Sequence, residues 1–306
     1  MRAFIFPGQG SQSVGMLADL AAEYPLIEET FAQASEALGY DLWQLVQEGP
    51  AEKLNETQRT QPALLAASVA IYRVLEAQGV AAPEWMAGHS LGEYSALVCS
   101  GAMDFADAIQ LVTKRGELMQ EAVPAGVGAM AAIIGLDDAR VEEACAAAAG
   151  DQVVSAVNFN SPGQVVIAGH AEAVERAGEA CKEAGAKRAL PLPVSVPSHC
   201  ALMQPAAEKL AVELGKITLR TPNVPVVNNV DVKVEREADA IRDALVRQLY
   251  SPVRWTETVQ QLAEQGVTEL YEIGPGKVLS GLTKRIDKAL QSDAVNTVES
   301  IQKVQE

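Results

Sequence analysis

A serine nucleophile is the chemistry that the sequence indicates most strongly. Ser90 is the central residue of the pentapeptide Gly88-His89-Ser90-Leu91-Gly92, which matches the pattern G-x-S-x-G. The short apolar segment before it is typical of the end of a strand, and the segment after it is typical of a helix. A serine at such a turn lies on a tight elbow with its hydroxyl exposed, while the glycines let the backbone pass closely. A glycine-rich turn with a capping serine is the alternative interpretation.

A serine nucleophile needs a neighbouring base, and the sequence contains three histidines. His89 is adjacent to Ser90, so its ring cannot easily turn onto the hydroxyl. His170 follows a predicted hairpin strand and is expected to begin a helix. His199 follows Pro197 in a proline-stiffened segment, where the chain is expected to pass from one domain to another and form a cleft. His199 is therefore the predicted base, and a histidine in a surface loop is the alternative.

The cysteines do not suggest a second reactive centre. Cys99, Cys145, Cys181 and Cys200 are scattered without the spacing of metal ligands, which favours reduced thiols in a cytoplasmic protein and predicts no metal site. Cys200 stands beside His199, but catalytic Cys/His partners are usually brought together by the fold rather than by adjacency. A cysteine nucleophile is therefore disfavoured.

The glycine-rich loop after the first predicted strand is a candidate for stabilising an oxyanion. Its Gly8-Gln9-Gly10 segment is not a dinucleotide fingerprint, because Ser13 stands where that pattern has glycine, and no Walker lysine follows. In serine hydrolases with an elbow, one oxyanion donor follows the nucleophile and the other comes from a loop after an earlier strand. We therefore expect the backbone N–H groups of Gln9 and Leu91 to form an oxyanion hole. A plain turn that caps the next helix is the alternative.

Composition narrows the class of protein. A chain of 306 residues, 48% of them hydrophobic, is typical of an α/β protein with an insert. The formal net charge of -16 argues against nucleic-acid binding. No segment reaches the apolar length of a membrane span, and residues 1–6 lead directly into a predicted strand, so neither a membrane segment nor a signal peptide is expected.

Alternating strands and helices predict a mostly parallel sheet covered by helices, an α/β-hydrolase-like core. The residues from about Gln291 lack periodicity and are expected to form a loose tail. The predicted strands of the core are 2–6, 84–87, 224–229 and 268–273. Helical stretches are predicted over 15–38, and the other predicted helices are 62–78, 93–99, 104–121, 203–214, 238–250 and 277–290.

Residues 126–195 follow a different pattern. Strands at 128–134, 152–159, 164–169 and 186–192 and helices at 137–149 and 170–184 give the order β-α-β-β-α-β of a ferredoxin-like fold. We therefore predict a small subdomain over 126–195, inserted into a discontinuous catalytic domain formed by 1–125 and 196–306. The active site is expected in the crevice between the two.

Arg115 lies in a predicted helix with apolar neighbours at helical spacing. Exposure is the usual position of an arginine, so the pattern alone favours the helix surface. On an inner face its guanidinium would bind a carboxylate.

Four motifs together resemble one family. The segments Phe6–Gln12, Gly88–Tyr94, Val196–His199 and Ile273–Gly276 occur in the same order as in the malonyl-CoA:acyl carrier protein transacylases. The similarity extends from about residue 3 to 290, and the motifs taken jointly are specific to acyltransferases of fatty-acid and polyketide synthesis. The chain resembles the free-standing bacterial enzymes rather than a synthase module, because no flanking domains accompany it.

The resemblance implies a role for individual residues. Ser90 matches the nucleophile of the family and His199 matches its base. Gln9 and Leu91 match the residues whose N–H groups form the oxyanion hole. Gln248 matches a glutamine whose backbone carbonyl orients the histidine, so the family uses a Ser–His pair without a triad acid.

The resemblance also implies a substrate. Arg115 matches the arginine that binds the free carboxylate of a malonyl group, which replaces the surface interpretation. A malonyl-serine ester is expected to pass its acyl group from coenzyme A to the phosphopantetheine thiol of acyl carrier protein by ping-pong kinetics, without a metal or redox cofactor. Ser198 precedes the histidine and does not by itself exclude a branched substrate.

The expected partner raises a question of charge, because carrier proteins are usually acidic as well. A local basic patch is expected at the cleft of a monomeric enzyme, although solvated surface is the alternative for every candidate. The candidates for the patch are Lys187, Arg188, Lys284, Arg285 and Lys288.

Two other classes of function remain as alternatives: a serine hydrolase with the same elbow, and a non-catalytic member of the fold.

Overall fold

The computed structural model describes residues 1–194 and 196–305. Its strands are β1 (Arg2–Phe6), β2 (Trp85–Gly88), β3 (Gly128–Ile134), β4 (Val154–Ser161), β5 (Gln164–His170), β6 (Arg188–Pro191), β7 (Val226–Val227), β8 (Glu269–Ile273) and β9 (Gln291–Val295).

Helices connect these strands. In chain order they are α1 (Ala18–Glu23), α2 (Pro25–Leu38), α3 (Leu42–Glu48), α4 (Ala51–Leu54), α5 (Thr57–Ala77), α6 (Gly92–Cys99), α7 (Phe105–Ala122), α8 (Asp138–Ala149), α9 (Ala171–Glu183), α10 (Gln204–Leu214), α11 (Ala238–Gln248), α12 (Trp255–Glu264), α13 (Val278–Ile286) and α14 (Val298–Val304). Within the described ranges, no helix is both long and apolar enough to cross a membrane.

The larger sheet is parallel throughout, in the order β7-β2-β1-β8-β9. Its central strand β1 is apolar on both faces, and Ala3, Phe4, Ile5 and Phe6 are all buried, as expected where helices cover both sides of a parallel sheet. The fold is therefore mixed α/β, as predicted. Counted along the chain, the strands lie in the order third, second, first, fourth, fifth, which is the order of doubly wound sheets.

The strand order brings three loops together. Strands β7, β2 and β1 are neighbours, and Phe6 at the end of β1 pairs with Gly88 at the end of β2. Because the carboxyl ends of parallel strands meet at one edge of the sheet, the segments after these three strands lie side by side. These segments are Pro7–Gln9, His89–Leu91 and Asn228–Asn229.

The smaller sheet is separate and antiparallel, in the order β4-β5-β3-β6. It has a core of its own, which includes Ile133, Val141, Val165 and Ile167. Val253 joins it to the rest of the molecule, since its N–H donates to Val157 O at 2.7 Å and its carbonyl accepts from Phe159 N at 3.0 Å. The chain elements in this region follow the order β-α-β-β-α-β.

The loose tail predicted from Gln291 onward is wrong. Residues 291–295 form β9, which pairs in parallel with β8, and α14 follows with a capping box between Thr297 and Ser300. Val295 and Ile301 are fully buried. The sequence of β9 lacks the apolar pattern of a strand because its first residues are polar. Its pairing with β8 stabilises this strand instead of an apolar run.

Several predicted boundaries also change. The helical stretches expected over 15–38 are the two helices α1 and α2, which separate at Tyr24 because Pro25 begins α2 and disfavours a helical conformation for the residue before it. The strand expected over 224–229 pairs only at Val226–Val227. The helix expected over 277–290 ends at Ile286, and the chain then turns into β9.

Candidate active site

Ser90 lies on the turn between β2 and α6 in a left-handed backbone conformation, with φ of 53°. The backbone is packed so closely here that only glycine fits on either side. A Cβ atom on Gly92 would lie 2.1 Å from Phe6 O, and one on Gly88 would lie 1.9 Å from the backbone of Gly92. The two glycines of the motif are therefore required by backbone contact, and the turn is the predicted elbow.

Ser90 and His199 form a hydrogen-bonded pair. Ser90 Oγ lies 2.7 Å from His199 Nε2, and His199 Nδ1 lies 2.7 Å from the backbone carbonyl oxygen of Gln248. A carbonyl oxygen can only accept, so Nδ1 carries the proton and donates it. Nε2 is therefore the acceptor, and Ser90 Oγ donates to it.

Burial and the neighbouring Arg115 guanidinium lower the pKa of His199 to about 3. Both effects disfavour the charged imidazolium, because the site is buried and already holds a cation. His199 is therefore neutral at pH 7 and able to accept the serine proton.

The other two histidines and Cys200 have different partners. His89 Nε2 lies 2.7 Å from Asn160 Oδ1 on β4, and His170 Nδ1 accepts from Val153 N at 2.9 Å. Cys200 Sγ donates to Pro197 O at 3.1 Å, and burial raises the pKa of its thiol to about 11. None of the three is placed to activate Ser90.

The segment of Gln9 runs against the elbow. A Cβ atom on Gly8 would lie 2.6 Å from His89 O and 3.8 Å from Leu91 N, so the two segments are in direct contact. Among the described residues, neither Gln9 N nor Leu91 N donates a hydrogen bond. Two backbone donors beside the nucleophile are therefore available for an oxyanion.

Arg115 lies inside the protein and not on the helix surface that its pattern favoured. Its side chain is 1% exposed, and Nη2 lies 3.5 Å from Ser90 Oγ. Helices α5 and α7 approach so closely at Gly116 that a Cβ atom there would lie 2.7 Å from Gln58 Cα. This packing turns the neighbouring arginine inward.

Uncharged groups surround the guanidinium of Arg115. Nη1 donates to Gln61 Oε1 at 2.8 Å, and Nη2 donates to Gln248 Oε1 at 3.1 Å. The ring of Tyr94 lies against its face, with the centroid 5.3 Å from Cζ.

Asn229 is a functional residue that the sequence reasoning missed. Its Oδ1 accepts from Ser90 N at 2.8 Å, and its Nδ2 donates to Gly88 O at 2.7 Å, so one side chain holds both sides of the elbow. Its own N–H donates to Glu93 Oε1 at 2.7 Å. The signal was the polar pair Asn228-Asn229 after an apolar strand, at the edge where the elbow also lies.

The site lies between the two sheets. The elbow and the Gln9 segment come from the parallel sheet, and the hydrogen bond from His89 to Asn160 joins the elbow to β4 of the antiparallel sheet. Within the part of the chain that the structure describes, no group of three or more histidine, cysteine or acidic side chains could hold a metal ion.

Known proteins resemble the chain over nearly its full length. A model of the acyl transferase domain matches residues 3–305. The malonyl CoA-acyl carrier protein transacylase of Escherichia coli K12 is 74% identical over 96% of this chain and 95% of its own length. The enzyme of the same name from Bacillus subtilis is 48% identical over 98% of this chain and 95% of its own.

Solved structures agree with these relatives. One is a type II PKS acyl-carrier protein in complex with its malonyl-transacylase, with a TM-score of 0.98 and 67% identity, covering 99% of this chain and 98% of that one. Another is an acyl carrier protein S-malonyltransferase from Vibrio cholerae, with a TM-score of 0.97 and 66% identity, covering 99% of both chains. With the motifs, the Ser–His pair and the matched family model in agreement, the chain belongs to the acyl transferase family.

Proposed function

We propose that the protein is a malonyl-CoA:acyl carrier protein S-malonyltransferase that forms a malonyl ester on Ser90 and supplies extender units for fatty acid synthesis. The observation that carries this proposal is the buried Arg115 guanidinium, 3.5 Å from the hydroxyl of a serine paired with a neutral histidine. A serine nucleophile beside a fixed cation suits an acyl group that ends in a carboxylate. The relatives named malonyl CoA-acyl carrier protein transacylase support the same substrate.

In the first half of the reaction, His199 Nε2 takes the proton of Ser90 as Oγ attacks the thioester carbonyl of malonyl-CoA. The negative charge on the carbonyl oxygen is stabilised by the N–H groups of Gln9 and Leu91. The C–S bond then breaks, the sulfur of coenzyme A takes the proton from His199, and the malonyl group remains esterified to Ser90.

In the second half, the phosphopantetheine thiol of acyl carrier protein repeats these steps in reverse. His199 removes the thiol proton, the sulfur attacks the ester carbonyl, and Ser90 recovers its proton as the C–O bond breaks. Every proton in both halves is carried by His199, so the chemistry needs no metal or redox cofactor. The Gln248 carbonyl keeps Nδ1 protonated and directs Nε2 at the reacting atoms.

The carrier protein would bind a basic surface of a single subunit. Lys284 and Arg285 lie exposed at the end of α13, and this helix packs beside β4, the strand that carries Asn160. Lys288, Lys187 and Arg188 are also exposed, and none of the five side chains forms an ion pair among the described residues. Unpaired cations suit the acidic surface that carrier proteins usually present.

The finer description of the fold is also a proposal. We infer an α/β-hydrolase-like core in the sense that the nucleophile elbow lies at the carboxyl edge of the parallel sheet, over 1–125 and 196–306. The strand order of the antiparallel sheet supports a ferredoxin-like subdomain over 126–195, although Ser195 lies outside the described residues.

Intact-mass measurement and peptide mapping after mixing with malonyl-CoA test this function. We expect one malonyl group per chain, located on Ser90, and none on Ser90→Ala. His199→Ala should slow formation of the adduct by about two to four orders of magnitude, because it removes the base and leaves the nucleophile. A full-yield malonyl adduct on the Ser90→Ala protein would refute the proposal.

A further inference from the structure

The charge of Arg115 is left uncompensated by its hydrogen-bond partners. A buried arginine is usually paired with a carboxylate, because burying a lone cation carries a large desolvation cost. Here the acceptors are two amide oxygens and one hydroxyl, and among the described residues no carboxylate lies within ion-pair distance of Arg115. Its Nε atom is buried without a partner in the same part of the chain.

Glu93 is a buried carboxyl whose charge acts on Arg115, but among the described residues it forms no ion pair with that guanidinium and accepts a hydrogen bond elsewhere. Its carboxyl accepts the N–H of Asn229 at 2.7 Å. Burial raises the pKa of this carboxyl to about 7, so its negative charge is only partly present at neutral pH.

Gln61 and Gln248 hold the guanidinium, but they are not equivalent. The amide nitrogen of Gln248 donates to Ser90 O at 3.0 Å and to Asn229 Oδ1 at 3.2 Å, so Gln248 is also part of the elbow. Gln61 lies on α5, and the hydrogen bond that its amide nitrogen donates within the described part of the chain goes to the sulfur of Met119, at 3.5 Å. Gln61 is thus the partner of Arg115 that is separate from the nucleophile and the base.

We propose that Gln61 determines the preference of this enzyme for acyl groups with a free carboxylate. Its amide oxygen fixes one arm of the guanidinium, 2.8 Å away, without neutralising the cation, so the charge of Arg115 stays available to the substrate. This inference rests on the proposed function, in which Arg115 binds the malonyl carboxylate. It assigns to Gln61 a positioning role that acts through Arg115.

A glutamate at this position would have the same shape and the opposite effect. Its carboxylate would lie at hydrogen-bond distance from Nη1 and would supply the missing ion pair. A malonyl carboxylate would then meet a neutralised cation and a second negative charge, and its desolvation would no longer be compensated. An acetyl group would lose nothing by the change.

The test is the ratio of kcat/KM for malonyl-CoA to kcat/KM for acetyl-CoA. For Gln61→Glu we expect this ratio to fall by about 10² or more, the size of a lost charge-assisted pair, with acetyl transfer retained or raised. Gln61→Met keeps the length of the side chain and removes the hydrogen bond without adding charge, so it should lower the ratio by about tenfold or less. Gln110→Glu, at an exposed position on α7, makes the same change of charge away from the guanidinium and should leave the ratio unchanged.

An unchanged ratio in Gln61→Glu would overturn the inference, and so would an equal loss of both substrates. Thermal unfolding shows whether that variant folds. If it does not fold, Gln61→Met decides: a lowered ratio supports a positioning role of Gln61 that acts through Arg115, and an unchanged ratio overturns that role. If Arg115→Ala itself leaves the ratio unchanged, the proposed binding of the carboxylate is wrong. If Arg115→Ala lowers the ratio and Gln61→Glu does not, only the role of Gln61 is wrong.

Discussion

His199 works with a backbone carbonyl where many serine enzymes use a carboxylate. The Gln248 carbonyl fixes the tautomer, but it offers less stabilisation to an imidazolium than a negative charge would. Arg115 acts in the same direction, since its charge lowers the pKa of His199. The base is therefore kept neutral, and the cation that contributes to this is the same group that we propose for binding the malonyl carboxylate.

Replacing Arg115 with alanine should separate these two effects. We expect malonyl transfer to fall by roughly two to three orders of magnitude, because a charge-assisted bidentate pair is lost. Acetyl transfer should fall far less or rise. The acid limb of the pH–rate profile for acetyl transfer should move to higher pH, because one cause of the low pKa of His199 is gone. Specificity constants for both substrates across pH measure this, and an unchanged malonyl-to-acetyl ratio would show that Arg115 does not bind the carboxylate.

At the scale of single residues, the sequence predicts the positions that depend on neighbours close by in the chain. The position of Ser90 follows from a pentapeptide with a recognisable pattern, and the backbone contact that requires Gly88 is made by Gly92 of the same pentapeptide. The buried position of Arg115 does not follow from helical periodicity, since it depends on how closely α5 approaches α7, and the family resemblance was needed to predict it. Asn229 was missed because its partners on the elbow, Ser90 and Gly88, lie more than a hundred residues away in the chain.

At the scale of elements, the elbow is held from three directions. The loop after β1 packs against it through Gly8 and Gly92, and the segment after β7 clamps it through Asn229. Helix α6 supplies Glu93, whose carboxyl accepts the backbone N–H of Asn229. The left-handed conformation of Ser90 is therefore imposed by its surroundings.

Glu93 should make the stability of the protein depend on pH. Burial raises the pKa of its carboxyl to about 7, above the usual value near 4.5. The folded state therefore binds more protons than the unfolded chain between these two values, and the contribution is complete below about pH 4.5 and is lost as pH rises through 7. Glu93→Gln keeps an acceptor for Asn229 N–H and removes the titration. As pH rises from 5 to 8, its free energy of unfolding should therefore rise relative to that of the wild type by about 1–3 kcal/mol.

Urea unfolding at several pH values measures this difference. Glu121→Gln, an exposed position on α7, serves as the control and should follow the wild type. Parallel pH profiles for Glu93→Gln and the wild type would show that Glu93 does not titrate in this range.

Element prediction succeeded where each element carries its own pattern. The order β-α-β-β-α-β over residues 126–195 was readable because β3 and β5 carry apolar runs and α8 begins at a capping residue, Asp137. Strand β9 was missed because Gln291, Ser292 and Asp293 carry no apolar pattern, and its place in the sheet comes from pairing with β8.

At the scale of the whole molecule, the net charge of -16 should hinder the approach of an acidic carrier protein. Binding would then depend on the few exposed cations near the cleft. For the double variant Lys284→Glu and Arg285→Glu we expect loading by malonyl-CoA to stay within about twofold, and transfer to the carrier protein to fall by about tenfold at low salt. Lys209→Glu, exposed on α10, is the control for a charge reversal outside the candidate patch.

The two halves of the reaction, measured separately, distinguish these outcomes. Equal transfer by the double variant and the wild type at low ionic strength would show that the carrier protein binds elsewhere. An equal loss in loading and transfer would show damage to the active site instead.

Discharge of the isolated malonyl-enzyme is the most direct test of an acyltransferase that uses Ser90 as its nucleophile. The adduct is formed with malonyl-CoA, freed of small molecules, and divided between buffer alone and phosphopantetheinylated acyl carrier protein, and both proteins are followed by intact mass. We predict that the malonyl group leaves Ser90 at least about 10²-fold faster with the carrier protein and appears on its thiol, because the ester is a covalent intermediate awaiting a positioned acceptor. Loss at the same rate in buffer alone, with no malonyl group on the carrier protein, would identify a hydrolase and contradict the proposed function.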